Sequence, residues 1–426
     1  MSLGLSARLR RLRAPALGAS GAPEPLADAI AAPVPDGLPS GQADSGRASL
    51  TERLRRMTPG WGGGRPEGAP NDQALAESVG AKVLCPGVLL VERRLDPRRR
   101  HGRVLLGALE EPRLLPLPPG CAVTDGSAPW LCLDTETSGL AGGTGTWAFL
   151  TGILRQLDGG WVLRQYLLTR LDAEPGYLEA VAQDLGGAVR LLTYNGRAFD
   201  VPLLATRFRL AGLADPLIGV PHLDLLGPVR CAFGRAWPEC RLATAECRLL
   251  GLQRRNDLPG SAAPLAWLGW LRRGEMAPLT GVLRHNRLDL CSLAGLLPRM
   301  DAVYADPASQ GADARAVAAA HRKQGRLDLA LGILDRERGS LEPAGLLDLA
   351  ALYRRTGQWD RSVDIWESLE AAGDVQGRAA LARYHEHRSR DLERALTLTK
   401  ALPFGEDRER RRARLLAKCA RVAACR

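Results

Sequence analysis

The clearest hydrophobic patterning lies between residues 130 and 300. WLCLDTE (130–136) is an apolar run of strand length that closes on acidic residues. TWAFLTGIL (146–154) and WVLRQYLLTR (161–170) follow, separated by the turn residues Asp158, Gly159 and Gly160. A stretch near 174–185 has helical spacing, VRLLTYN (189–195) reads as another buried strand, and about Val201 to Leu213 as a second helix. Strands joined by a tight turn are antiparallel, whereas a strand reached through a helix is usually parallel. The expected core is therefore a β-meander, then helix, strand and helix, forming a mixed α/β sheet. After residue 225 the pattern is mostly helical, ending in an apolar helix from about Leu279 to Leu297 with Pro278 and Pro298 as its limits.

The flanks differ from this core. Residues 1–80 are rich in Ala, Pro, Gly and Arg without a sustained period, and stretches such as GWGGGRPEGAPND bury too little to offset chain entropy. They read as a disordered basic arm, either solvated or nucleic-acid-binding. Residues 81–128 offer short apolar pieces, KVLCPGVLLVERR and GRVLLGALE, and read as a β-rich lead-in to a main domain at 129–302. In residues 310–426, His321, Gly325 and Ala330 recur as Tyr353, Gly357 and Ser362, each displaced by 32 positions, with Tyr384 and Ala395 in a weaker third copy. LLDLAALYRRTGQWDRSVDIWESL resembles a tetratricopeptide repeat, a helical unit that stacks on its neighbours. GEDRERRRARLLAKCARV, after Pro403, reads as a final basic helix.

A chain of 426 residues suits two domains with linkers, and no apolar run reaches membrane-span length. The N-terminal residues lack the compact apolar stretch of a secretory signal, so a cytoplasmic protein is expected. The nine cysteines form no CxxC pair, and the spacing of Cys240 and Cys247 matches no common zinc pattern. The net charge of +11 suits a polyanionic partner. However, 54 of the 58 basic residues are arginine, as high-GC codon usage in a bacterium would produce, so charge permits nucleic-acid binding without showing it.

Within the main domain the acidic residues carry the chemistry. Asp134 and Glu136 close the first buried strand, and period-two geometry puts them on one face. Such a pair repels unless a cation or hydrogen bonds compensate, and hard oxygen ligands suit Mg²⁺ or Mn²⁺; an ordinary surface pair is the alternative. Asp200, in YNGRAFD, follows a strand and opens a helix, where capping is the competing role. His285 and Asp289, in HNRLD, are four apart and share one helical face. Asp224, Arg197, Arg254, Arg255 and Thr146, with the loop residues Gly142, Gly143, Thr144 and Gly145, are weaker candidates. Trp267 and Trp270 read as core rather than as base-stacking residues.

DTETSGL, NGRAFD and HNRLD, in that order around such a core, resemble the three sequence blocks of the four-carboxylate (DEDD) exonucleases. More narrowly, GLAGGTGTWAFLTG, YNGRAFDVPLL, HLDLL, ECRLLGLQRRNDLPG and HNRLDLCSLAGLL resemble the YprB-type ribonuclease H-like family over roughly residues 80–300. The resemblance implies a ribonuclease H-like fold in which Asp134, Glu136, Asp200 and Asp289 ligate two Mg²⁺ or Mn²⁺ ions, with His285 as general base. Histidine-type members place that base five positions before the last Asp; here the interval is four, as for the tyrosine of the tyrosine-type branch. The activity implied is a metal-dependent 3′–5′ exonuclease acting on single-stranded DNA or RNA ends, with the repeats docking a protein partner. Two alternatives are an adaptor on an inactive nuclease scaffold and a junction nuclease that cuts at internal sites.

Overall fold

The computed structural model describes residues 71–107, 111–121, 128–139, 145–157, 159–187 and 189–424. Residues 1–70 of the expected basic arm, Asp158 of the expected turn, and Gly142, Gly143 and Thr144 of the expected loop lie outside them. The described residues belong to one structural unit, Arg65–Arg426.

The first element corrects the expectation of disorder through residue 80. Asp72–Val79 is a helix, α1, because Asn71 Oδ1 accepts from Gln73 N at 3.0 Å and Gly80 ends it in the left-handed conformation (φ 68°). Leu75, Ala76 and Val79 are buried, and Asp72 accepts from Gly87 N at 2.8 Å and Thr169 Oγ1 at 2.7 Å, so tertiary contacts hold a helix too short to stand alone.

The strands are β1 (Lys82–Cys85), β2 (Val88–Leu95), β3 (Arg100–His101), β4 (Val104–Leu105), β5 (Trp130–Thr137), β6 (Ala148–Leu157), β7 (Gly160–Leu168), β8 (Arg190–Thr193) and β9 (His222–Asp224). Seven of them form one mixed sheet in the order β1-β2-β7-β6-β5-β8-β9, and β3 pairs with β4 separately. The meander β5-β6-β7 is antiparallel, while β8 runs parallel to β5 and β9 parallel to β8. β2 pairs with β7 from Val88↔Leu168 to Leu95↔Trp161, so the strands expected as a lead-in extend the main sheet.

Helices cover both faces of the sheet, as its buried parallel portion requires. They are α2 (Glu174–Leu185), α3 (Asp200–Leu210), α4 (Leu226–Phe233), α5 (Ala263–Arg273) and α6 (Ala277–Ala305). Trp130 and Cys132 enter one apolar core, and Leu131 and Leu133 enter the other. Trp267 and Trp270 are buried on α5, where their indole N–H groups donate to the carbonyls of Leu168 (2.7 Å) and Thr169 (3.0 Å). They are packing residues, as expected.

Pro298 does not end the last of these helices, against expectation. α6 runs on to Ala305 with Pro298 inside it, and buried Met300, Val303 and Tyr304 hold the continuation where proline removes one backbone donor. Residues 314–424 are helical throughout their named elements: α7 (Ala314–Lys323), α8 (Leu327–Arg336), α9 (Pro343–Arg355), α10 (Trp359–Ala371), α11 (Val375–Tyr384), α12 (Leu392–Lys400) and α13 (Glu406–Ala424). Their repeat is geometric as well as textual. Gly325 and Gly357 both turn at positive φ (76° and 82°), and Arg326 N→His321 O (3.0 Å) is matched by Gln358 N→Tyr353 O (2.8 Å). Ala330, Ser362 and Ala395 are all fully buried, while the third turn puts Arg390, not glycine, at φ 60°.

The contact that decides where α6 sits is at Gly152. A Cβ there would lie 2.1 Å from Asn286 Oδ1 and 2.7 Å from Leu290 Cδ1. Gly152→Ala should therefore push α6 off the sheet, costing ~1–3 kcal/mol. Thermal unfolding checks this: a melting temperature equal to that of the unsubstituted chain would contradict so close an approach.

Candidate metal centre

Four segments meet beside β5. Past Cys132↔Leu192, the last pair with β8, the edge of β5 has no strand partner on that side. Thr135 fills the gap by donating its N–H (3.0 Å) and its hydroxyl (2.5 Å) to Asp200 Oδ1, at the start of α3. From the α6 side, Asn286 Nδ2 donates to Asp134 Oδ2 (2.8 Å) and Asp134 O (3.2 Å), while Gln165 Nε2 on β7 donates to Asn286 Oδ1 (2.8 Å). Asp289 lies one turn further along α6, with Oδ1 accepting from Arg254 Nη2. His285 Nε2 is 3.7 Å from Asp289 Oδ2.

Asp134, Glu136 and Asp200 line a cleft of about 700 Å³, together with Thr146, Tyr194, Phe199 and Gly260. Asp289 and His285 are not among its lining residues, but His285 Nε2 is 3.4 Å from where a Cβ on the lining residue Gly260 would lie. The acidic groups act on one another. Burial pushes the Asp134 carboxyl well above the usual range, and Asp289, Asp200 and Glu136 push it further. Glu136 is raised by burial and then by Asp289 and Asp200. Asp200 is pushed up to about 6 by burial, against the Thr135 hydrogen bonds. Burial also raises Asp289, although Arg254 and His285 oppose it.

The four carboxylates of the sequence motifs are thus brought within electrostatic reach of each other. The weaker candidates divide. Asp224 accepts from Asn195 N (2.7 Å), Arg197 N (3.0 Å) and Leu226 N (3.0 Å), so it shapes the loop that leads to Asp200. Arg197 donates to His222 O (2.8 Å), and Thr146 lines the cleft. Arg254 is a hub: it bonds Glu246 (2.8 Å at Nε), Asp257 (2.9 Å at Nη1) and Asp289. Three residues went unmarked in the sequence. Asn286 and Asp257 lie inside quoted motifs, HNRLD and QRRNDLPG, and Phe199 stands beside Asp200 with 56% of its surface exposed.

The donor set fits a hard divalent cation. Asp134 Oδ1 and Asp289 Oδ2 accept no hydrogen bond within the described structure, and Asp257 Oδ1 is buried without a donor. Among the described residues, no three His, Cys, Asp or Glu side chains already stand as a metal-holding group. What the site supplies is repelling carboxylates with oxygens to spare, a charge excess that cations would relieve.

Residues 131–300 match the family model described as the RNase_H superfamily, so the sheet domain is a ribonuclease H superfamily domain. The chain is also similar to "Uncharacterized protein YprB" of Bacillus subtilis (strain 168), with 31% identity over 276 residues, 62% of this chain. The match covers 66% of that relative, just under two thirds. Among the described residues no helix is long and apolar enough to cross a membrane.

The raised Asp200 predicts a pH dependence. Its folded pKa of about 6 lies above the ordinary 3.8, so between those values the folded chain keeps a proton that the unfolded chain has lost. Stability is then lost as pH rises through that window, by about 3 kcal/mol in all. Metal-free Asp200→Asn should lack this loss and gain on the unsubstituted chain from pH ~4 to ~6. Parallel pH–melting curves for the two proteins would contradict it.

Proposed function

We propose that the chain is a metal-dependent nuclease that removes nucleotides from the 3′ ends of single-stranded DNA or RNA. One observation carries the reading: three separate stretches of chain bring Asp134, Glu136, Asp200 and Asp289 so close that Asp200 and Asp289 raise the proton affinity of Asp134 and Glu136, and three of the four line one cleft. In this reading they hold two divalent cations, which when bound supply Lewis acidity to the phosphodiester and charge to stabilise its leaving oxygen. The chain's own residues do the positioning. Thr135 fixes Asp200 and Asn286 fixes Asp134, each by two hydrogen bonds. Phe199 offers an exposed ring in the cleft wall on which a base can stack. In this reading His285, whose Nε2 faces Gly260 of the cleft wall, takes the proton of the attacking water. The 3′–5′ polarity and the preference for single-stranded ends follow from the resemblance to four-carboxylate exonucleases. In the same reading the helices from α7 onward are tetratricopeptide-like and dock a protein partner.

A second reading, an adaptor on an inactive nuclease scaffold, draws on the Arg254 guanidinium. It already gives Asp289 a cationic partner.

End-labelled DNA and RNA incubated with Mg²⁺ or Mn²⁺ separate the two. A nuclease should release mononucleotides stepwise, and Asp200→Asn should lower the rate by more than the ~10–100-fold cost of losing an outer-shell partner. No metal-dependent cleavage of any strand, with Asp134→Ala indistinguishable from the unsubstituted chain, would defeat the nuclease reading and leave the adaptor. Cleavage at internal sites would point to a junction nuclease.

A further inference from the structure

The ring of His285 has two nitrogens, and their surroundings differ. Nδ1 is 2.7 Å from Asp257 Oδ2. Arg254 Nη1 is also near Nδ1, at 3.2 Å, but a guanidinium only donates, whereas a carboxylate only accepts. The shorter contact is charge-assisted and requires a proton on Nδ1. At the other nitrogen the nearest carboxylate oxygen, Asp289 Oδ2, is 3.7 Å away, beyond hydrogen-bond range. A proton on Nε2 would therefore lose the 2.7 Å contact and gain nothing comparable.

Asp257 is itself held. Its Oδ2 accepts from Arg254 Nη1 at 2.9 Å, and Arg254 is anchored by Glu246, a buried residue that also accepts from Ser292. Burial alone would raise the Asp257 carboxyl, but Arg254 and His285 outweigh it and keep the group below its ordinary value. Nε2 faces Gly260, and Gly260 lines the cleft that Asp134, Glu136 and Asp200 share.

We propose that Asp257 is a positioning residue that holds His285 in the Nδ1–H tautomer and leaves Nε2 bare toward the cleft. What Nε2 then does rests on the nuclease reading; the tautomer does not. In hydrolysis an O–H bond of water breaks and its proton goes to Nε2, while the water oxygen forms the new P–O bond. The P–O bond to the 3′ oxygen of the shortened strand breaks, its electron pair stays on that oxygen, and solvent protonates it. The imidazolium formed at His285 is stabilised across Nδ1 by the Asp257 charge, the role an aspartate plays behind a catalytic histidine in hydrolytic triads.

The test is a long-range ¹H–¹⁵N correlation spectrum of the full chain labelled at histidine, metal-free and without substrate, at about pH 8 where a free imidazole is neutral. His285→Gln identifies the signal. The expected spectrum shows Nδ1 protonated and Nε2 unprotonated. Asp257→Asn should move His285 toward the Nε2–H tautomer, because an amide can donate to Nδ1, and Asp257→Glu should restore the original pattern. In cleavage assays Asp257→Asn should lower kcat ~10–100-fold with KM little changed. An Nε2–H tautomer in the unsubstituted chain, or the same tautomer in Asp257→Asn, overturns the proposal, even if cleavage is observed. If Asp257→Asn does not fold, the spectrum of the unsubstituted chain decides alone. Nδ1–H without any cleavage would support the assignment and defeat the nuclease reading instead.

Discussion

The site depends on how closely one helix approaches one strand. At Gly152 on β6 there is no side chain, and Asn286 of α6 comes down in the space. From there its carboxamide accepts from Gln165 on β7 and donates to Asp134 on β5, so one side chain links the two strands flanking Gly152. Gln165 also donates to the Leu283 carbonyl of α6 at 2.8 Å, and both Gln165 and Asn286 are almost wholly buried. Buried amides with partners on every side fix helix rotation and depth more sharply than apolar contact does. Since His285 and Asp289 flank Asn286 on α6, the same contact sets where both stand relative to β5.

Around that contact the fold holds more negative charge than burial favours. Asp134, Glu136, Asp200 and Asp289 all have raised proton affinities, with burial as the first cause and their neighbours' charges adding to it for Asp134 and Glu136. On one flank Arg254 offsets the excess by bridging Glu246, Asp257 and Asp289. On the other, neutral donors from Thr135 and Asn286 orient the acids without cancelling their charge. An arrangement that orients carboxylates but leaves them repelling costs stability, and such costs concentrate at functional sites.

Much of this was legible in the sequence because it is local. Apolar runs of strand length marked β5 to β8, and the motif acids fell at strand ends or on a helix face, where their types narrow the chemistry. What escaped depends on distance along the chain. β2 joins the sheet by pairing with β7, as in Glu92↔Arg164, and no local pattern encodes that partner. α1 is held by Asp72 reaching Thr169, and α6 passes Pro298 because tertiary contacts outweigh the lost donor. Gly152 read as one more strand residue, and its meaning lies wholly in the helix above it. Asp257 sits in an irregular stretch between helices, where its side-chain direction follows from Arg254 and His285 and not from periodicity.

Crystals grown with Mn²⁺ and examined by anomalous scattering would test the central claim most directly. The account predicts two anomalous peaks bounded by Asp134, Glu136, Asp200 and Asp289, and their loss in Asp134→Asn. Crystals at saturating Mn²⁺ with no peak at these four side chains, or with peaks unaffected by that substitution, would contradict it.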